Sequence, residues 1–81
     1  MKIEVLGTGC AKCNRLEKDV CNTLAEMNVA AEVSKVQDIK RIMDYKVMLT
    51  PALVINGKVK SSGGLPKAQD LKKFIQEELG E

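Results

Sequence analysis

Two cysteines separated by two residues, Cys10-Ala11-Lys12-Cys13, are the residues of this 81-residue chain best suited to chemistry. Thiols at that spacing serve either exchange with a disulfide or capture of a soft metal ion. Exchange requires one ionised, reachable thiol and a second thiol near enough to attack the mixed disulfide that the first one forms. Projected at 100° per residue, Cys13 falls on the apolar stripe of the helix that follows, whereas Cys10 falls at its mouth. There the unpaired N–H groups and the positive end of the dipole favour a Cys10 thiolate, and Lys12 adds to that field. The pair is therefore expected to be unequal, with Cys10 the nucleophile and Cys13 the sheltered resolving thiol. Cys21 lies eight residues beyond Cys13, about 80° around the helix and two turns along it, so it does not easily join the pair. It is expected to pack as a small hydrophobe, with an intermolecular disulfide or regulatory oxidation as its other uses.

The elements that position these thiols follow from periodicity. Residues 2–6 read as a strand with Ile3 and Val5 on one face, ending at Gly7-Thr8-Gly9, whose glycines permit a sharp turn. Leu16, Val20, Leu24 and Met27 recur at helical steps directly afterwards. Val29, Ala31 and Val33 alternate within a second strand over residues 29–36, and Ile39, Ile42 and Met43 suggest a short second helix. Ala52-Leu53-Val54-Ile55 reads as a buried strand, Asn56-Gly57 as a two-residue hairpin turn, and Lys58-Val59-Lys60-Ser61 as an edge strand returning from it. After Ser61-Ser62-Gly63-Gly64, Pro66 is placed to begin a last helix, with Ala68, Leu71, Phe74, Ile75 and Leu79 as its buried stripe. The fold class is thus α/β, in the order β-α-β-α-β-β-α. A right-handed crossover makes the first two strands parallel and the hairpin adds an antiparallel pair, giving a four-stranded mixed sheet flanked by three helices.

Composition narrows the function classes. Residues 1–81 form a single domain, because a chain of this length supports one modest core. Thirteen basic and eleven acidic residues, spread along the chain with only two aromatics, provide neither the basic stripe nor the stacking platform of a nucleic-acid binder. Lys2 and Glu4 interrupt the first apolar run, so no signal peptide is expected, and no apolar stretch is long enough for a membrane span. A cytoplasmic location is the expectation, with no membrane partner. In that compartment closely spaced cysteines mean metal binding or redox chemistry and not a structural disulfide framework.

Three separated landmarks then stand in a known order: Gly7-Thr8-Gly9-Cys10-Ala11-Lys12-Cys13 after the first strand, Thr50-Pro51-Ala52-Leu53-Val54-Ile55-Asn56-Gly57-Lys58 at the third, and Gly63-Gly64 before the final helix. Over essentially the whole chain they resemble the thioredoxin and glutaredoxin superfamily, most closely the short thioredoxin-like redox-active disulfide proteins of archaea and bacteria. The resemblance implies a thioredoxin-like fold and a thiol-disulfide oxidoreductase that reduces protein disulfides through a reversible Cys10-Cys13 disulfide, with no other cofactor and no bound metal. It implies a cis Thr50-Pro51 bond lying against the cysteine pair, and a substrate groove made by Thr50, Pro51, Gly63 and Gly64. Without the resemblance, Pro51 reads as a trans proline opening a strand and Gly63-Gly64 as a plain turn. Glu4 lies six residues before Cys10, where thioredoxins carry a buried acid that assists the resolving thiol. Strand alternation puts Glu4 on the face away from Ile3 and Val5, and a solvated or structural carboxylate beside Lys2 is the favoured reading, with pKa tuning of the thiols as the alternative. The implied partners are disulfide-bearing proteins and an electron-donor reductase, and the implied state is a monomer.

The chain departs from the pattern at Gly9, where typical thioredoxins have tryptophan, and at Ala11-Lys12, where they have Gly-Pro, so a redox potential does not carry over. Lys12 and Leu65 stand where glutaredoxins place tyrosine and an acidic residue, which disfavours glutathione as donor. Two other functions compete. A Gly-x-Gly-Cys-x-x-Cys loop before a helix also resembles heavy-metal-associated domains that carry copper(I), although those lack the Thr-Pro and the terminal helix. A thioredoxin-fold module that binds a partner without catalysis is the other alternative.

Overall fold

The first strand shows how the chain divides its side chains between two layers. In the computed structural model, which describes residues 1–7, 11–47 and 49–79, β1 (Lys2–Leu6) sends Ile3 and Val5 to one face and Glu4 and Leu6 to the other. It pairs in parallel with β2 (Glu32–Val36) and antiparallel with β3 (Ala52–Ile55), and β4 (Lys58–Ser62) completes the order β2-β1-β3-β4. β1 and β3 are the central strands; apart from the exposed Lys2 every residue in them is buried, and all but Glu4 of those are apolar, as suits strands covered on both faces. The element order and the mixed sheet agree with the sequence reading.

Two helices cover the Ile3–Val5 face. α1 (Ala11–Met27) buries Cys13, Leu16, Val20, Thr23 and Leu24, and α3 (Ala68–Glu78) buries Leu71 and Ile75; with Ile3, Val5, Leu53 and Ile55 their aliphatic residues form the larger core. Thr23 fits this apolar setting because its hydroxyl donates to the Asp19 carbonyl at 2.8 Å within the same helix. The other face holds the smaller cluster of Leu6, Val36, Ile42, Val47, Ala52 and Val54, under α2 (Ile39–Asp44). Asp38 caps α2 by accepting the Lys40 N–H at 3.0 Å.

Asn56 and Gly57 turn the hairpin with φ of 51° and 81°, the double positive pair of a type I′ turn. The β3–β4 register shifts between Leu53 and Val54, passing over Lys60. This bulge aims the Lys60 ammonium at α3, where it lies 2.9 Å from Glu78.

Three local expectations are corrected. β2 starts at Glu32 and not at residue 29, because the chain leaving α1 first passes through the left-handed Asn28 at φ 57°. α3 starts at Ala68 with Lys67 as its N-cap residue, so Pro66 precedes the helix, while Ala68 and Leu79 are exposed and Phe74 is half-buried. Cys21 is exposed and not packed. The buried arc of α1 ends at Leu24, and Cys21 lies about 60° beyond it.

Leu16 is 0% exposed and central to the larger core. Leu16→Ala is expected to destabilise the protein by about 2–5 kcal/mol, read as a lower denaturation midpoint in urea at unchanged slope.

Candidate functional site

The site forms where α1 begins and the central strands meet. Cys13, in the first turn of α1, is 1% exposed and lies over the end of β1, which Gly7 extends by donating its N–H to the Val36 carbonyl at 3.0 Å. A Cβ on Gly7 would collide with Cys13 Sγ and sit 3.9 Å from Thr50 Cβ. Gly7, Cys13 and Thr50 therefore converge, and the need for glycine at position 7 is this close approach. Thr8, Gly9 and Cys10 lie outside the described residues, so the expected placement of Cys10 at the helix mouth does too. α1 starts at Ala11, the residue after Cys10.

The second landmark meets the first at this point. The Thr50–Pro51 bond is cis, Pro51 is buried and Thr50 exposed. The Pro51 carbonyl accepts the Gly63 N–H at 3.0 Å. Gly63 has φ +83°, and a Cβ there would stand 3.0 Å from Leu49 Cβ and Cδ1. The structure thus brings Cys13, Thr50, Pro51 and Gly63 into one region. Gly64 follows with open space where a Cβ would be, and Lys12 is exposed on the first turn of α1. A separate cleft of ≈ 530 Å³ lies between α1 and the start of α3, lined by Arg15, Asn22, Leu65 and Lys67 among others; its lining includes none of Cys13, Thr50 or Pro51.

The sequence favoured a solvated or structural carboxylate at Glu4, and the structure shows a buried one, so it is not solvated. It is 4% exposed, on the α2 side of the sheet, with a structural set of partners. Tyr45 Oη donates to Glu4 Oε1 at 2.7 Å, and Arg41 Nη2 donates to Oε2 at 3.1 Å. Charge-assisted hydrogen bonds to both oxygens offset the cost of burying a carboxylate. The bond to Glu4 is the main cause that raises the Tyr45 pKa above its ordinary 10.0; burial and the Glu4 charge add to it and Arg41 opposes it. Sequence reasoning missed Arg41 and Tyr45. Their i, i+4 spacing places them on one helical face, but nothing in it points to a carboxylate on β1. At the far end of the molecule the Glu78 carboxyl is held below its ordinary range, first by its bond to Lys60, with Asn56 and Lys58 assisting and burial opposing.

A mixed four-stranded sheet with α1 and α3 on one face and α2 on the other, and a buried cysteine of the first helix set against a cis-proline loop, define a thioredoxin-like α/β protein. The profile of the thioredoxin domain matches residues 1–76, and the chain belongs to that family. It is 32% identical over 75 residues to a thioredoxin of Methanothermobacter thermautotrophicus, covering 93% of this chain and 97% of that one. A thioredoxin of Methanocaldococcus jannaschii is 30% identical over 77 residues, 95% of this chain and 88% of that one. Membership makes the chain, in general terms, a thiol-disulfide oxidoreductase. No helix among the described residues is long and apolar enough to cross a membrane.

Two expected outcomes test this geometry. Gly7→Ala forces Cys13 or the β1 end to move and should cost about 1–3 kcal/mol, seen in denaturant melts; a neutral substitution would mean that the approach is looser in solution. Tyr45 is the only tyrosine, so absorbance at 295 nm reports its ionisation directly. The midpoint should lie above 10.0 and move back towards that value in Glu4→Gln. Because the folded value is raised, the stability that Tyr45 contributes is complete below the ordinary phenol value and is lost as pH rises through the folded one.

Proposed function

We propose that the chain reduces protein disulfides by dithiol exchange through Cys10 and Cys13. The observation that supports this most is the convergence of Cys13 with Gly7, Thr50-Pro51 and Gly63. It joins a sheltered thiol to a stretch of backbone on which an extended peptide can lie, with Thr50 exposed and Gly63 and Gly64 presenting no side chain. α1 adds a second support, since the positive end of a 17-residue helix begins one residue after Cys10 and favours the thiolate there.

In the proposed reaction the Cys10 thiolate attacks one sulfur of the substrate disulfide. A bond forms between that sulfur and Cys10, and the other substrate sulfur leaves as a thiolate and takes up a proton. Cys13 then loses its proton and attacks the Cys10 sulfur, forming the Cys10-Cys13 disulfide and releasing the second substrate thiolate. Two electrons pass from the dithiol to the substrate, which leaves with two thiols. The carrier is the cysteine pair itself, with no other cofactor. A reductase restores the dithiol, and a reducing cytosol is the compartment that suits this direction. Gly64 and Lys12 have subsidiary roles, Gly64 as an open margin of the groove and Lys12 as a cation near the thiolate.

Cys10→Ser should lower reduction of a disulfide-bonded protein to the rate given by the buffer dithiol alone. Cys13→Ala should instead accumulate a mixed disulfide through Cys10, visible by mass spectrometry after acid quenching. Full reductase activity in Cys10→Ser would overturn the reading. Loss of activity in that variant with no mixed disulfide in Cys13→Ala would overturn the assignment of the two roles.

A further inference from the structure

The polar cluster on the α2 face has a place in the architecture of the site. α2 buries only Ile42, and its other large apolar residues, Ile39 and Met43, are 62% and 66% exposed. Apolar burial alone holds so short a helix weakly. Its fixed point is Glu4, in the middle of β1 and paired across to Ser34 on one side and Val54 on the other. The backbone of Glu4 cannot shift without disturbing three strands. Arg41 and Tyr45, one helical turn apart, both reach its carboxylate.

Tyr45 is also the residue at which α2 ends. Its N–H donates to the Ile42 carbonyl at 3.2 Å. Lys46 follows at φ 59° and donates its N–H to the Met43 carbonyl at 2.8 Å, and Val47 is buried in the smaller core. The next described residues are Leu49, packed at Gly63, and then Thr50 and Pro51. The chain thus runs from the clamped phenol to the Pro51 carbonyl, itself bonded to Gly63, in six residues. Glu4 acts from the sheet face that α2 covers, whereas Cys13 approaches β1 from the α1 face with Leu16.

We propose that Tyr45, assisted by Arg41, is a positioning residue that uses Glu4 as an anchor on β1 to set the Thr50-Pro51 backbone against Cys13, and thereby the seat of the substrate peptide. The proposal rests on the disulfide-reductase reading above for its catalytic consequence. It assigns the cluster an effect on substrate binding that is transmitted through the loop, and none on the ionisation of the thiols.

The test is Tyr45→Phe, which keeps the ring in place and removes the hydroxyl, with Arg41→Lys as the conservative companion. Three quantities are measured: kcat and KM for a disulfide-bonded peptide, the pH profile of cysteine alkylation in the reduced protein, and hydrogen exchange of the Gly63 amide without substrate. In Tyr45→Phe, KM should rise about fivefold, the factor corresponding to one hydrogen bond of ordinary strength. The value of kcat should stay within about twofold, the alkylation profile should overlay that of the unmodified chain, and Gly63 should exchange about fivefold faster. Arg41→Lys retains a cation and should give the smaller change in each. Unchanged KM and unchanged Gly63 exchange, with only a lower thermal midpoint, would show that Tyr45 serves packing alone and overturn the proposal. A displaced alkylation profile would overturn it as well, since the cluster would then act on the thiols directly. If the unmodified chain reduces no disulfide, the functional reading fails, and the Gly63 amide still decides whether Tyr45 controls the proline loop.

Discussion

The seating of α1 on β1 is the contact from which the rest of the molecule takes its positions. Leu16, Val20 and Leu24 lock one helical stripe onto Ile3 and Val5, and the same stripe, continued one turn towards the helix start, carries Cys13 to the end of the strand. At that end the Cys13 side chain lies so close to the strand that only a residue without a Cβ fits at Gly7. Apolar packing thus fixes where the thiol lies, and the glycine decides how near the strand it comes. The loop with Thr50 and Pro51 closes on the same spot because β3 pairs antiparallel with β1, which returns Ala52 to a place beside Leu6.

The two faces of the sheet are held by different forces. The α1–α3 face is an aliphatic core whose stability scales with the area removed from water. The α2 face has a smaller apolar cluster and a buried carboxylate, whose cost is met by a phenol and a guanidinium. A close-packed core holds a helix through many weak, non-directional contacts, whereas hydrogen bonds to both oxygens of one carboxylate specify distance and direction. The α2 face is also the one that leads into the proline loop. The division sets a close-packed aliphatic core behind Cys13 and a directional anchor beside the chain that leads to Thr50-Pro51.

At the opposite end, the hairpin and α3 are joined by ion pairs. The bulge that skips Lys60 turns its ammonium towards Glu77 and Glu78, and Lys58 reaches Glu78 as well. Lysines on an edge strand also discourage pairing with another chain. Lys60 accordingly has its pKa raised, chiefly by Glu78 with burial opposing, while Glu78 has its own lowered. The favourable effect of Glu78 is present above the ordinary carboxylate pKa and is lost as pH falls through the lower folded one.

What the sequence determined by itself is local in origin. The spacing of Cys10 and Cys13, the helical stripe from Cys13 to Leu24, the double left-handed turn at Asn56-Gly57 and the order of elements all follow from neighbours in the chain, where periodicity and turn chemistry suffice. The meeting of Thr50-Pro51 with the cysteine helix was also legible, but only through a resemblance of pattern and not from any local rule. The tertiary structure decided the remainder. Alternation showed that Glu4 faces away from Ile3 and Val5, yet whether that face met water or α2 depended on residues 37 and 41 positions later. Cys21 looked packable because its helix is amphipathic, but the width of the buried arc is set by what lies against it, and the arc ends before Cys21. Gly7 read as a turn residue until the helix came down upon it. In each case the pattern told which way a side chain points, and only the folded chain supplied the atoms it meets there.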